Sequence, residues 1–115
     1  MIVEVQEDAQ GDLISGYQFY ERQAETLGEY FLQALTADLK SLELSAGIHP
    51  LHFGYHRLLA KHFPFAIYYR VVGSSVRVSA ILDCRRDPAH IRKRLTATPD
   101  VILTLLASGL LWRLT

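Results

Sequence analysis

Six cationic side chains, Arg57, Lys61, Arg70, Arg77, Arg85 and Arg86, fall within thirty consecutive residues. Gathered on one surface, they would attract phosphates, ribosomal RNA or an acidic protein partner. That attraction has to be local, because the formal net charge of the whole chain is zero. The competing interpretation is a solvated sheet face balanced by acids such as Glu43 and Asp83. Two neighbouring tyrosines, Tyr68 and Tyr69, point to opposite faces of a regular strand, so one belongs to the core and the other could stack on a base or touch a partner. Cys84 stands beside Arg85 and Arg86, which favours thiolate, although a small buried residue is the simpler reading. His49, His52, His56 and His62 crowd one region, but there is no paired metal-ligand spacing and no second cysteine. No metal and no cofactor is expected.

The elements that position these residues can be read from period and punctuation. Tyr55–Lys61, Phe65–Val72 and Val76–Asp83 are rich in Tyr, Ile and Val, as strands prefer. They are separated by His62-Phe63-Pro64 and by Gly73-Ser74-Ser75, connections so short that antiparallel pairing is the easy geometry. Residues 55 to 87 therefore form a three-stranded meander. The two-residue period puts Tyr55, Arg57, Leu59 and Lys61 on one face of the first strand. In the last strand, Val76, Val78, Ala80 and Leu82 form the core face and Arg77, Ser79, Ile81 and Asp83 oppose it.

Upstream, Ile2–Gln6 alternates as a short strand. Ala9, Leu13, Tyr17, Tyr20 and Ala24 then make one helical stripe, with Asp8 as its cap. Gly11 and Gly16 each weaken that helix by about 1 kcal/mol relative to Ala, so packing must hold it. A second helix follows Gly28, buries Phe31, Leu32, Leu35, Leu39 and Leu42, and stops near Ser45-Ala46-Gly47. The two lie as a helical hairpin on one sheet face, and Ile48–Gly54 is an irregular connector. At 115 residues, half of them hydrophobic and 21% charged, this is one ordinary globular α+β domain. The lone cysteine and the character of MIVEVQEDAQ point to a cytoplasmic protein without a signal peptide.

With that order in hand, a resemblance enters. Asp12-Leu13, Tyr20-Glu21, Gly28 before Phe31, the run Phe63-Pro64-Phe65-Ala66-Ile67-Tyr68-Tyr69 and Arg86-Asp87-Pro88 together resemble the RelE/ParE superfamily over roughly Ile2 to Leu95. These are the small toxins of type II toxin–antitoxin modules, often called plasmid stabilisation proteins. The resemblance implies a cytoplasmic growth-arresting toxin neutralised by a cognate antitoxin that wraps it with helices and an extended segment. The RelE-like branch cleaves messenger RNA on the ribosome; the ParE-like branch inhibits DNA gyrase and is not a nuclease. Cleavage through a 2′-hydroxyl needs a general base, a general acid and cations on the phosphate. The candidates here are Arg57, Arg70, Arg86 and His90, a set that departs from the RelE-like pattern. RelE-like members carry a middle-strand arginine and a terminal His-Tyr or Tyr. In this chain the middle strand has no arginine before Arg70, and Arg86-Asp87 stands at the terminal position. His90 is a substitute acid or simply an exposed residue of a short final helix. A second interpretation keeps the fold without toxicity, as a binding module assembled through its C-terminus.

That C-terminus is unusual for the resemblance. Ile91–Leu95 completes a short basic helix, and the chain then continues from 96 to 115. Thr98-Pro99-Asp100 is a helix start, with a capping hydroxyl, a proline at the first position and an acid at the positive end of the dipole. Val101, Ile102, Leu103, Leu105, Leu106, Leu110, Leu111, Trp112 and Leu114 follow. Such a helix is apolar nearly all round and must be buried somewhere. At about fifteen residues it is too short for the roughly 20 that span a bilayer. The expectation is packing against another subunit, through residues 100–114, or onto the antitoxin's site.

Overall fold

In the computed structural model, residues 1–96 are described; the expected apolar helix over 96–115 lies almost wholly outside them. The element order is β1 (Ile2–Val5), α1 (Glu7–Gln23), α2 (Leu27–Ser45), β2 (Leu51–His52), β3 (Tyr55–Leu59), β4 (Phe65–Val72), β5 (Ser75–Asp83) and α3 (Pro88–Leu95). One sheet of five strands results, in the order β1-β5-β4-β3-β2. Only β1 runs parallel to its neighbour, β5; every other pairing is antiparallel. The α+β class, the helical hairpin and the meander are as the residue pattern requires.

Hydrophobic burial fixes which face the hairpin takes. Ala9, Tyr20, Phe31, Leu35, Leu39 and Leu42 pack onto Phe65, Ile67, Tyr69, Val76, Val78 and Ile81. Within this core Tyr20, Phe31, Phe63 and Phe65 form an aromatic cluster, the ring centroids of Phe31 lying 5.1 Å from Phe63 and 5.0 Å from Phe65. Tilted and edge-to-face pairs of this kind add about 0.5–1.5 kcal/mol each to their burial. The opposite face, the open face, holds a smaller cluster of Tyr55, Ala66, Tyr68, Ala80 and Leu82 covered by Leu95 and Ile91 of α3.

Two glycines set the spacing of the hairpin. A Cβ on Gly16 would stand 2.5 Å from the Phe31 ring, and one on Gly28 would stand 2.6 Å from the Tyr17 carbonyl oxygen. Gly16 thus costs helix propensity but admits the fully buried Phe31 ring. Thr26 lies in the left-handed region at the start of α2, with no cap bond from its own side chain. Glu21 replaces it: its two carboxylate oxygens accept from the Thr26 and Gly28 N–H groups at 3.2 and 3.0 Å. The pairing of Tyr20-Glu21 with Gly28 therefore has a physical meaning, an aromatic core residue beside a borrowed helix cap.

Four local expectations are corrected. The N-cap of α1 is Gln6, not Asp8, which sits with Glu7 in the first turn, where the helix dipole favours acids. Ala24 lies past the end of α1 and is exposed. The connector is not wholly irregular, because Leu51 and His52 pair with His56 and Tyr55 across Phe53 and Gly54, both at positive φ. Most consequential is a bulge: Tyr69 faces Val78 while Tyr68 faces Ala80, so Ser79 is an extra residue in β5. Val76, Val78 and Ile81 consequently face the hairpin, whereas Ala80 and Leu82 face the other way.

Candidate target-binding face

Strand alternation through β3 and β4 places Arg57 opposite Tyr68, and Arg70 opposite Arg77 of β5, all on the open face. Their surroundings keep them there. The Arg70 guanidinium lies 4.0 Å above the centre of the Tyr55 ring, a cation–π contact. Burial pushes the Tyr68 phenol up, against the opposing influence of the neighbouring Arg57 guanidinium. Arg77 Nε stands 4.0 Å from Glu4 Oε2 on β1, a partly exposed and weak ion pair. Arg70 and Arg77 are direct cross-strand neighbours, an arrangement of like charges that works against the sheet. Three guanidiniums thus share one half-buried surface, two of them opposed, an arrangement that costs stability rather than adding to it.

The remaining cations go elsewhere, so the six do not form a single patch. Arg85 folds back on Asp83 with two parallel bonds, Nε to Oδ1 at 3.0 Å and Nη2 to Oδ2 at 2.7 Å. It also touches Tyr20, on the hairpin side. The Arg85 side-chain bond holds the Asp83 carboxyl below its usual range, ahead of the opposing effect of burial. Lys61 lies in the β3–β4 turn, where its main-chain N–H donates at 3.3 Å to the buried Asp38 of α2. Arg86 and His90 are exposed and lie side by side, Arg86 Nη1 3.3 Å from His90 Nε2.

These two line a separate hollow of about 440 Å³ with Asp12, Phe19, Asp83 and Arg94. Its anchor is Asp12, a residue whose role the sequence did not reveal. Its carboxylate accepts two bonds from the Arg94 guanidinium, at 2.9 and 2.8 Å, and a third from the Ile81 N–H at 2.9 Å. The Ile81 N–H is available because β1 ends at Val5, opposite Val78. One carboxylate thereby joins α1, α3 and β5. The Asp-Pro start of α3 could have been read as a cap: Asp87 accepts from the Ala89 N–H and Pro88 opens the helix.

The tyrosines and the cysteine depart from expectation. Both Tyr68 and Tyr69 are buried, Tyr68 beneath α3 and Tyr69 in the hairpin core, so neither is free to stack on a base. The Tyr69 hydroxyl accepts from the Gly47 N–H at 2.9 Å and also hydrogen-bonds His49 Nδ1. The His49 carbonyl in turn accepts from His56 Nδ1 at 2.7 Å, and the His56 ring stacks on Tyr69. Burial, then the neighbouring His56, lowers the His49 pKa. Cys84 is exposed rather than buried, and desolvation of its thiol raises the pKa, so Arg85 and Arg86 do not make it a thiolate.

No family pattern and no curated protein matches the chain. Among solved structures it is similar to a chain of the "Chromosomal ParDE TA system from P. aeruginosa", at 24% identity and a TM-score of 0.60. The match covers 70% of this chain and 92% of that one. The likeness concerns the fold: the strand, helical hairpin and meander are those of a ParE-like chain.

Proposed function

We propose that this protein is the toxin of a toxin–antitoxin pair, held inactive by a cognate antitoxin protein and acting by binding rather than by cutting. The observation that carries this reading is the open face of a ParE-like sheet, where Arg57, Arg70 and Arg77 stand together around Tyr55 and Tyr68. Guanidiniums in this setting suit carboxylates or phosphates of a large partner. A nuclease would need an acid and a base beside those cations. Two histidines are elsewhere: His56 stacks on Tyr69 on the hairpin side, and His90 pairs with Arg86 in the α1–α3 hollow, while His52 stands across from Tyr55 on the edge strand β2. The distance of the candidate acid His90 from Arg57 and Arg70 favours the gyrase-inhibiting branch over ribosome-dependent RNA cleavage.

Induced expression in bacteria tests the reading. Growth should stop, should resume when an antitoxin encoded beside the gene is co-expressed, and should continue when the expressed protein carries the combined substitutions Arg57→Gln, Arg70→Gln and Arg77→Gln. Purified protein should block supercoiling by gyrase and leave ribosome-bound messenger RNA intact. Harmless expression of the unaltered protein would overturn the toxin reading, and would favour a binding module of the same fold. Cleaved messenger RNA with normal supercoiling would overturn the choice of branch.

A further inference from the structure

One apolar groove on the described surface has no cover. It holds about 480 Å³ between α1 and α2 and is lined by Val5, Leu13, Ile14, Tyr17 and Leu32, with Gln10 its only polar residue. Ile14, on its wall, is 57% exposed. A hollow lined in this way favours an apolar occupant over water.

We propose that the groove is filled by the chain's own residues 101–114. Three observations single out this occupant. The first is its chemistry. Nine of those fourteen residues are large and apolar, Asp100 precedes them, and Arg113 is the one charge among them. A segment with so little polar surface must be buried, and the groove asks for the same character. The second is its point of departure. Arg94 is clamped by two bonds to Asp12 of α1, one and two residues before Leu13 and Ile14, so the chain leaves α3 beside the helix that forms the groove. Arg94 shares a shallow hollow with Asp8, Gln10, Gly11, Asp12 and Ile14, and Gln10 and Ile14 belong to the groove as well. The third is reach. Six residues from Leu95 to Asp100 extend to about 20 Å at most, whereas Asp12 to Tyr17 is about 7.5 Å along the helix axis. Gly11 lies on that route, and nothing stands within 4 Å of where its Cβ would be. A tethered segment also meets its site at an effective concentration near millimolar, far above any partner in trans. Seated there, the segment would have to be displaced by any protein that uses the same groove. The inference does not depend on the toxin reading.

Trp112 is the only tryptophan of the chain and reports directly on the segment. In the full-length protein its fluorescence should be blue-shifted and protected from acrylamide, at a molecular mass that stays monomeric on dilution. Ile14→Asp, at an exposed position, should shift the emission to the red and raise the quenching constant severalfold while circular dichroism stays the same. Leu105→Asp, in the segment itself, should do likewise, and Ile2→Asp, exposed but outside the groove, should not. An exposed Trp112 in the unaltered protein would overturn the proposal. So would protection that survives Ile14→Asp, which places the segment elsewhere. A dimer that Ile14→Asp splits would identify a second copy as the occupant and overturn it equally.

Discussion

The two faces of the sheet use the same strands for different ends. On the hairpin face, Tyr69, Ile67, Val76 and Val78 are sealed beneath α1 and α2, and the aromatic cluster around Phe31 fills the space between. On the open face, among the described residues, a short helix covers Tyr55, Ala66, Tyr68, Ala80 and Leu82, and the guanidiniums of Arg57, Arg70 and Arg77 share that side of the sheet. Stability is concentrated on the first face; the second keeps charges that a purely structural sheet would replace by hydrophobes. Substitutions should therefore separate folding from target engagement according to the face they alter.

The sharpest way to break this division is Phe31→Ala. Phe31 is fully buried and touches Tyr20, Phe63 and Phe65, so its loss should cost about 3–5 kcal/mol in urea unfolding. If it cost no more than an open-face arginine, the contrast between the faces would be false. Next is Asp12→Ala, which strips Arg94 of its carboxylate and leaves the Ile81 N–H without its acceptor. We expect about 2–3 kcal/mol, again in urea unfolding, because the groups are half-buried rather than sealed.

Removing the borrowed cap with Glu21→Ala should cost about 1 kcal/mol, visible as a lower thermal midpoint. Arg77→Val, which relieves the opposition to Arg70, should stabilise by a few tenths of a kcal/mol while weakening target inhibition. The smallest effect concerns acid. His49 has a lowered folded pKa, so the unfolded chain takes up its proton first as pH falls. Its contribution is present in full above the unfolded value of about 6.5 and fades as pH drops below that towards the folded value. Thermal midpoints of the unaltered protein should fall more between about pH 7.5 and 5.5 than those of His49→Gln. Equal losses in the two proteins would remove His49 from the account.

Much of the fold was legible because its punctuation is strong. Pro64 and Gly73 bracket β4, and the bounds Phe65–Val72 follow from them directly. β2 was missed for a physical reason. It is two residues long, and its turn puts Phe53 at a φ of 54°, a conformation that nothing in a phenylalanine announces. The cationic patch was half legible. Alternation placed Arg57 and Arg70 together, but Arg85 follows the last strand, and its destination is set by Asp83 two residues back. Asp12 belongs to the family resemblance, but its role is hidden in the sequence because its partners, Ile81 and Arg94, lie 69 and 82 residues away. The apolar run Ala80-Ile81-Leu82 was the one available sign that alternation fails in β5.

Ser79 makes that failure useful. Before it, odd-numbered positions of β5 look out and even-numbered ones look in; after it, the assignment is reversed. The strand is thus written in two reading frames. Its first half lends Arg77 to the open face, and its second half turns Ala80 and Leu82 there as a seat for α3. Deleting Ser79 would not shorten the sheet so much as force one half into the other's frame, sending Arg77 towards the aromatic core or Leu82 away from its helix.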